Sequence, residues 1–391
     1  MAGMTFQREP AAGSTQNSPL GEMPEQLSRY FSPDYFTAKQ RFLTATERLG
    51  AQHQSVPIQA PSPTGDPLTI DVAVIGAAKP KSALIVSSGL HGVEGFFGSA
   101  VQIAFLERFA PYWQPPPGAA LVMLHSLNPF GFAWKRRFNE DNVDLNRNFL
   151  LSDEVYAGAP PLSAAFRRVM MPIASPLRFD LWPARMAFLA IRHGVQAFWE
   201  TLPGGQYDYP DWLFFGGRAP TQTAEILDWL MPQMLDEADH VVHLDFHTGL
   251  GRWTNCQLLL SESESGENCD WWKAHFGEER VTETAAAARS YAARGSLGPW
   301  LQARLPKCRY RYATAEFGTY SPGRVIRALA EELRWHTKLG NQSADHWARV
   351  RLTEIFAPRN ETWRRKSVET GISLIRRAAD VLWDSVRTAS G

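Results

Sequence analysis

Short apolar runs separated by turn residues dominate the first third of the chain. Residues 68–75 (LTIDVAVI) alternate in part between apolar and polar positions, whereas 83–86 (ALIV) and 120–124 (ALVML) are unbroken apolar stretches. Unbroken runs of that length fit strands covered on both faces. Residues 96–109 read as a helix between two of them. Strands joined through helices imply a mostly parallel sheet, because a parallel pair needs a crossover long enough to hold a helix. Further strands are predicted at 241–246 (VVHLDF), 256–260 (CQLLL) and 310–317 (YRYATAEF).

Helix signals surround these strands. Ser32-Pro33-Asp34 combines a capping hydroxyl, a proline for the first helical position and an early acid, with Phe36, Phe42 and Leu43 as an apolar face and Gly50 as a stop. Thr221 or Thr223 is placed to cap a helix running to Leu235. Ser321-Pro322 opens another through Leu339, ended by Gly340. Residues 361–386 form a last long helix with Ile372, Leu374, Ile375, Ala379, Leu382 and Trp383 on its apolar face. From 164 to about 199 the pattern is helical and cluttered, and reads as an insertion covering one side of a site.

Composition narrows the function classes. Forty basic and forty acidic side chains cancel, so the chain lacks the broad positive field that nucleic-acid binding uses. Its three cysteines, Cys256, Cys269 and Cys308, are odd in number and have no CxxC spacing, which argues against a disulfide framework or a thiolate metal site. The start, Met1 to Pro10, lacks a basic segment followed by an apolar run. The most apolar segment, 179–199, is broken by Asp180, Pro183, Arg185, Arg192 and His193, and is too interrupted to span a membrane. A soluble, cytoplasmic enzyme with no membrane or nucleic-acid partner is expected. Its oligomeric state is open.

The chemistry concentrates after strand ends. In Ser87-Ser88-Gly89-Leu90-His91-Gly92-Val93-Glu94-Gly95, an imidazole and a carboxylate lie three residues apart, a spacing that lets both point the same way. They are two thirds of a His2Glu zinc site, which keeps an open position for water. His247, in His243-Leu244-Asp245-Phe246-His247-Thr248-Gly249, is the candidate third ligand. His243 and Asp245 share its strand face; His243 reads as a packed residue and Asp245 as a group able to orient a ligand imidazole. His125 and His193 read as packed histidines. Alone, the His–x–x–Glu pair also describes two polar residues on a solvated turn. Downstream, the polar loop from Asn128 to Phe149 carries Arg136, Arg137 and Arg147. Guanidinium groups grip carboxylates and stabilise oxyanions, although such a loop is equally a charged surface.

The ordered set HxxE, NPxG, DLNRNF, a strand ending in His and a strand carrying Glu resembles the zinc carboxypeptidase superfamily, peptidase family M14. The resemblance is strongest to its bacterial DUF2817 branch, related to succinylglutamate desuccinylase and aspartoacylase, and covers about 65–325. It implies an α/β fold: a single domain over 26–391 with a mixed, mostly parallel twisted sheet and helices on both faces. The core spans 65–325, a helical insertion about 155–220 and C-terminal helices 321–391, behind a disordered segment 1–25. It further implies one Zn2+ per chain on His91, Glu94 and His247, and Glu316 as general base. By the same resemblance the oxyanion-stabilising arginine falls on Arg137, with Arg136 as competitor, and the pair that binds the substrate carboxylate falls on Asn146 and Arg147. Tyr291 and Arg294 are weaker candidates for substrate contact, the alternative being a helix surface. Tyr207, Asp208, Tyr209 and Asp211, flanked by Gly204-Gly205 and Gly216-Gly217, read as a rim loop narrowing the cleft. The implied activity is hydrolysis of an amide in a small peptide or amino-acid derivative bearing a free carboxylate. An N-acyl amino acid deacylase would use the same site, and a non-catalytic zinc- or ligand-binding module is the reading from another class.

Overall fold

The computed structural model describes residues 24–171, 181–194, 201, 204–261, 266–283 and 294–389. Tyr291 and residues 1–23 of the expected disordered segment lie outside the described residues. Eight strands form one sheet among the described residues: β1 (Gln52–Ile58), β2 (Leu68–Gly76), β3 (Ser82–Ser88), β4 (Ala119–His125), β5 (His240–Thr248), β6 (Cys256–Leu260), β7 (Val281–Glu283) and β8 (Arg309–Phe317). Their spatial order is β1-β2-β4-β3-β5-β8-β6-β7. The helices are α1 (Tyr35–Glu47), α2 (Gly95–Arg108), α3 (Pro129–Ala133), α4 (Ser163–Met170), α5 (Trp182–His193), α6 (Gln222–Leu235), α7 (Glu267–Phe276), α8 (Leu297–Arg304), α9 (Pro322–Leu339), α10 (Trp347–Phe356) and α11 (Glu361–Ala389).

The centre of the sheet, β4-β3-β5-β8, is parallel throughout. Antiparallel pairings flank it, at β1–β2, β2–β4 and β6–β8. The central runs were legible because both of their faces are buried and every position is apolar or packed. The edge strand β1 (QHQSVPI) has no such run. Most of it is exposed, and Pro57 sits where an edge tolerates a missing donor.

Period-two alternation splits each central strand between two apolar layers. Leu84, Val86, Leu244, Phe246 and Phe317 pack with Phe97 and Val101 of α2 and with Trp363 and Ile375 of α11. Ile85, Val122, Val241 and Tyr312 face the other layer, with Leu227 of α6, Trp300 of α8 and Leu329 of α9. Fully burying a side chain such as Phe246 stabilises by roughly 1.5–3 kcal/mol. On the second face, the positions following Val241 at the same period are His243, Asp245 and His247. The layer is therefore apolar at the start of β5 and polar at its C-terminal end.

Several local expectations need correction. The cap of α1 is Asp34, whose Oδ1 accepts from the Thr37 N–H at 2.8 Å, and not Ser32. Order also begins earlier, with a 3-10 turn at Pro24–Tyr30. His193 is exposed at the end of α5 rather than packed. Arg294 lies in a bend and not on a helix. Helix α10 escaped the pattern reading because its charged Arg349 is fully buried, stacked between Trp134 and Trp335 and paired with Glu332. Thr221 caps α6, as one of the two candidates required.

Candidate metal centre

His91 and Glu94 sit where β3 leaves the sheet and turns into α2. His91 precedes a 3-10 turn, Gly92–Glu94, that leads directly into the helix. The turn is clamped by its neighbour loop: the Gly92 and Val93 N–H groups donate to the Arg137 and Arg136 carbonyls at 3.1 and 2.7 Å. Gly92 is obligatory, since a Cβ there would lie 2.2 Å from the Gly131 backbone. The Asn-Pro-x-Gly motif supplies the opposing surface. Asn128 Oδ1 accepts from Gly131 N–H at 2.7 Å, and its Nδ2 donates to the Arg137 carbonyl at 3.2 Å.

His247 is the penultimate residue of β5, next to β3, and its register partner on β8 is Glu316. Among the described residues, His91, Glu94 and His247 form a group whose ligand atoms all lie within 4.8 Å of one another, and all three are buried. His91 Nδ1 lies 3.0 Å from Glu94 Oε1 and 3.1 Å from His247 Nδ1; His247 Nδ1 lies 3.1 Å from Glu94 Oε2. The far nitrogens are engaged elsewhere. His247 Nε2 meets Asp245 Oδ2 at 2.6 Å, and His91 Nε2 meets Asp144 Oδ1 at 3.1 Å. Asp245 on His247 Nε2 favours the tautomer that turns the His247 Nδ1 lone pair toward His91 Nδ1 and Glu94, while His91 Nε2 lies between Asp144 and an Arg137 N–H donor at 2.8 Å. Two lone pairs 3.1 Å apart repel unless a cation or proton lies between them. The donor set therefore fits a divalent metal ion, and two neutral imidazoles with one carboxylate suit zinc.

The electrostatics follow from burial and close charges. Burial pushes the Glu94 carboxyl upward, yet His91 and His247 outweigh it and hold it well below the usual range. Burial disfavours charge on His247, but Asp245 and Glu94 raise its pKa well above the ordinary value. Asp144 is buried and is held far down by Arg137 and His91. Glu316 differs from these carboxylates: burial, reinforced by the charge of Glu94, raises it to about 7. Its Oε1 accepts from the Leu250 N–H at 2.8 Å.

The remaining candidates separate cleanly. Arg137 reaches the centre: Nη2 lies 2.8 Å from His91 Nε2, Nη1 donates to Glu94 at 3.2 Å and Nε to Asp144 at 2.9 Å. Arg136 is fully buried and points away, with Nε on Glu332 at 2.7 Å and Nη2 on Asn142 at 2.9 Å. Asn146 Oδ1 accepts from the Leu297 N–H at 3.1 Å, and Arg147 is buried with Nη1 on the Asn146 carbonyl. Tyr207 is buried and donates to the Arg147 carbonyl at 2.8 Å, while Asp211 pairs with Arg167. Arg294 is tied to Glu154 and to the Val155 and Ala157 carbonyls. His125 is a core histidine, stacked on Phe42 and bonded to Ser99.

Two features escaped the sequence reading. Asp144 opens the Asp-Leu-Asn-Arg run, and its presence there was the available signal. Behind His247, the Ser87 hydroxyl donates to Asp245 Oδ1 at 2.6 Å and the Tyr312 hydroxyl to Oδ2 at 2.8 Å. His243 bridges Ser87 and Tyr310 at 2.7 Å each. The face shared by His243, Asp245 and His247 was legible along the strand; the Ser87, Tyr310 and Tyr312 partners were not, because they come from two other strands.

The architecture has known counterparts. The crystal structure of thrombin activatable fibrinolysis inhibitor aligns with TM-score 0.51 and 12% identity over 94% of this chain and 78% of that one. Its bovine form in complex with tick carboxypeptidase inhibitor aligns with TM-score 0.48 and 13% identity over 90% and 98%. Murein-tripeptide amidase MpaA from Escherichia coli O157 gives TM-score 0.32 and 18% identity over 73% and 92%. No curated protein matches the chain. The fold is thus the carboxypeptidase-like α/β fold. Within it, the chain belongs to the DUF2817 family, described as a protein of unknown function, whose family model matches residues 31–370.

Proposed function

We propose that this protein is a zinc-dependent amide hydrolase of the carboxypeptidase type, holding one ion per chain on His91, Glu94 and His247. Its substrate is a small peptide or N-acyl amino acid with a free carboxylate. One observation carries the reading: a buried His–Glu–His donor set, each imidazole backed by a carboxylate, adjoins a second carboxylate of raised pKa. A purely structural ion site has no use for that extra acid or for Arg137.

When bound, the ion supplies Lewis acidity toward the amide carbonyl and toward the attacking water. Glu316, near neutrality at about 7, accepts the water proton and returns it to the leaving nitrogen. Arg137 donates to the oxygen that gains charge; removing one such donor costs about 2.7–4 kcal/mol in comparable sites. Asn146 and Arg147 anchor the substrate carboxylate and set the register of attack. The rim loop around Tyr207 keeps the opening narrow. Among the described residues no helix is long and apolar enough to cross a membrane. The unpaired cysteines, two of them buried, suit a reducing cytoplasmic setting.

The test is Glu316→Gln. The variant is expected to bind zinc like the parent and to lose nearly all amide hydrolysis. Retained turnover would remove Glu316 from its role. Absence of zinc from the parent protein would remove the whole reading.

A further inference from the structure

The loop joining β5 to β6 adjoins the site and carries two exposed apolar side chains. In Thr248-Gly249-Leu250-Gly251-Arg252-Trp253-Thr254-Asn255, Leu250 is 54% exposed and Trp253 39% exposed. The Leu250 N–H lies 2.8 Å from Glu316 Oε1, so covalent geometry keeps its Cβ within about 5–6 Å of that carboxylate. Trp253 packs edge-on against Tyr320 at 5.2 Å between ring centroids.

The loop is built rather than loose. The Gly249 N–H donates to the Phe317 carbonyl, Thr254 N–H to Gly318, Gly318 N–H to Asn255 and Asn255 N–H to Arg252, all at 2.9 to 3.2 Å. Thr248 Oγ1 donates to the Phe356 carbonyl at 2.7 Å. Gly318 is required, because a Cβ there would stand 1.9 Å from the Arg252 carbonyl oxygen. A pinned loop that leaves Leu250 and part of Trp253 open to solvent beside a buried carboxylate, with Trp253 held in place by Tyr320 and Trp363, is a fixed apolar wall.

The carboxylate anchor lies elsewhere. Arg147 is packed by Gly205, Tyr207 and Gly295, and Asn146 by Leu297, none of them from this loop. Resting on the amide-hydrolase reading, we infer that residues 248–255 form the acyl subsite and that the substrate is an N-acyl amino acid with a bulky apolar acyl group. The acyl chain lies along Leu250 and Trp253 while Asn146 and Arg147 hold the amino-acid carboxylate. Hydrolysis breaks the amide C–N bond. Water adds its oxygen to the acyl carbon and its protons to the products, a carboxylic acid and a free amino acid.

The experiment uses the zinc-loaded full chain with N-acetyl, N-succinyl and N-decanoyl forms of several amino acids. The decanoyl forms are expected to exceed the acetyl forms in kcat/KM by at least about tenfold, in line with the discrimination apolar contacts supply. Leu250→Asn and Trp253→Ala should each reduce that ratio severalfold, chiefly through KM. Equal or better turnover of acetyl or succinyl forms, or an unchanged ratio in both variants, overturns the inference while leaving the hydrolase reading intact. Should no amide be cleaved, the hydrolase reading fails. The subsite is then decided by calorimetric binding of N-decanoyl amino acid to the same protein: weakening by Trp253→Ala sustains it, and no binding rejects it.

Discussion

Asp245→Asn isolates the part of the site that the fold, and not the ligand set, supplies. Asp245 is fully buried and accepts three hydrogen bonds, from Ser87, Tyr312 and His247 at 2.6, 2.8 and 2.6 Å. Burial would raise its pKa, but His247 and the donated bonds hold it at about 2, so it is a carboxylate at every working pH. Asparagine keeps the volume and can still accept from Ser87. Its amide nitrogen would then meet Tyr312 and His247, both donors toward that position. The imidazole is driven to the other tautomer, with a proton on the Nδ1 that faces Glu94 and His91. Loss of such a partner weakens metal binding by about 10–100-fold, or roughly 1.4–2.7 kcal/mol. A buried donor left unpaired adds about 1–3 kcal/mol of destabilisation. Zinc affinity measured by competition with a chromophoric chelator, alongside thermal unfolding with and without zinc, reads both effects. Zinc affinity within twofold of the parent would show that Asp245 does not orient His247 and that the tautomer argument is wrong.

Other perturbations test independent parts. Because the folded pKa of His247 is raised well above its ordinary value, proton and zinc compete for it through neutrality. Zinc affinity should therefore climb by up to about tenfold per pH unit from pH 6 to 8, and a flat profile would contradict this. Glu316 acts only when ionised, so kcat/KM should rise with pH through a limb at or below about 7, the bound cation moving it downward. Arg136→Met takes from the buried Glu332 the closer of its two guanidinium partners, leaving Arg349 at 3.4 Å, and should destabilise by up to about 3–5 kcal/mol in chemical denaturation; adding Glu332→Met should deepen the loss, because it strips the buried Arg349 of its carboxylate. Arg137→Met should lower kcat by about 100- to 1000-fold, whereas a change confined to KM would assign Arg137 to ground-state binding.

The central strands and the helices α1, α2, α6, α9 and α11 were legible in the chain because their signals are local. Unbroken apolar runs at β3 and β4, the threonine before α6 and the serine-proline before α9 each act within a few residues. His91 and Glu94 were legible for the same reason, since one turn of backbone brings them together. Tertiary structure decided what required distant segments. Only the parallel register of β5 and β8 sets Glu316 beside His247, and only the approach of the Asn128 loop to Gly92 brings Arg137, and not Arg136, to His91 and Glu94. The carboxylates behind His91 and His247, Asp144 and Asp245, take their meaning from buried hydrogen bonds reaching between distant segments. Such contacts depend on three-dimensional closure, which leaves no periodic trace along a chain.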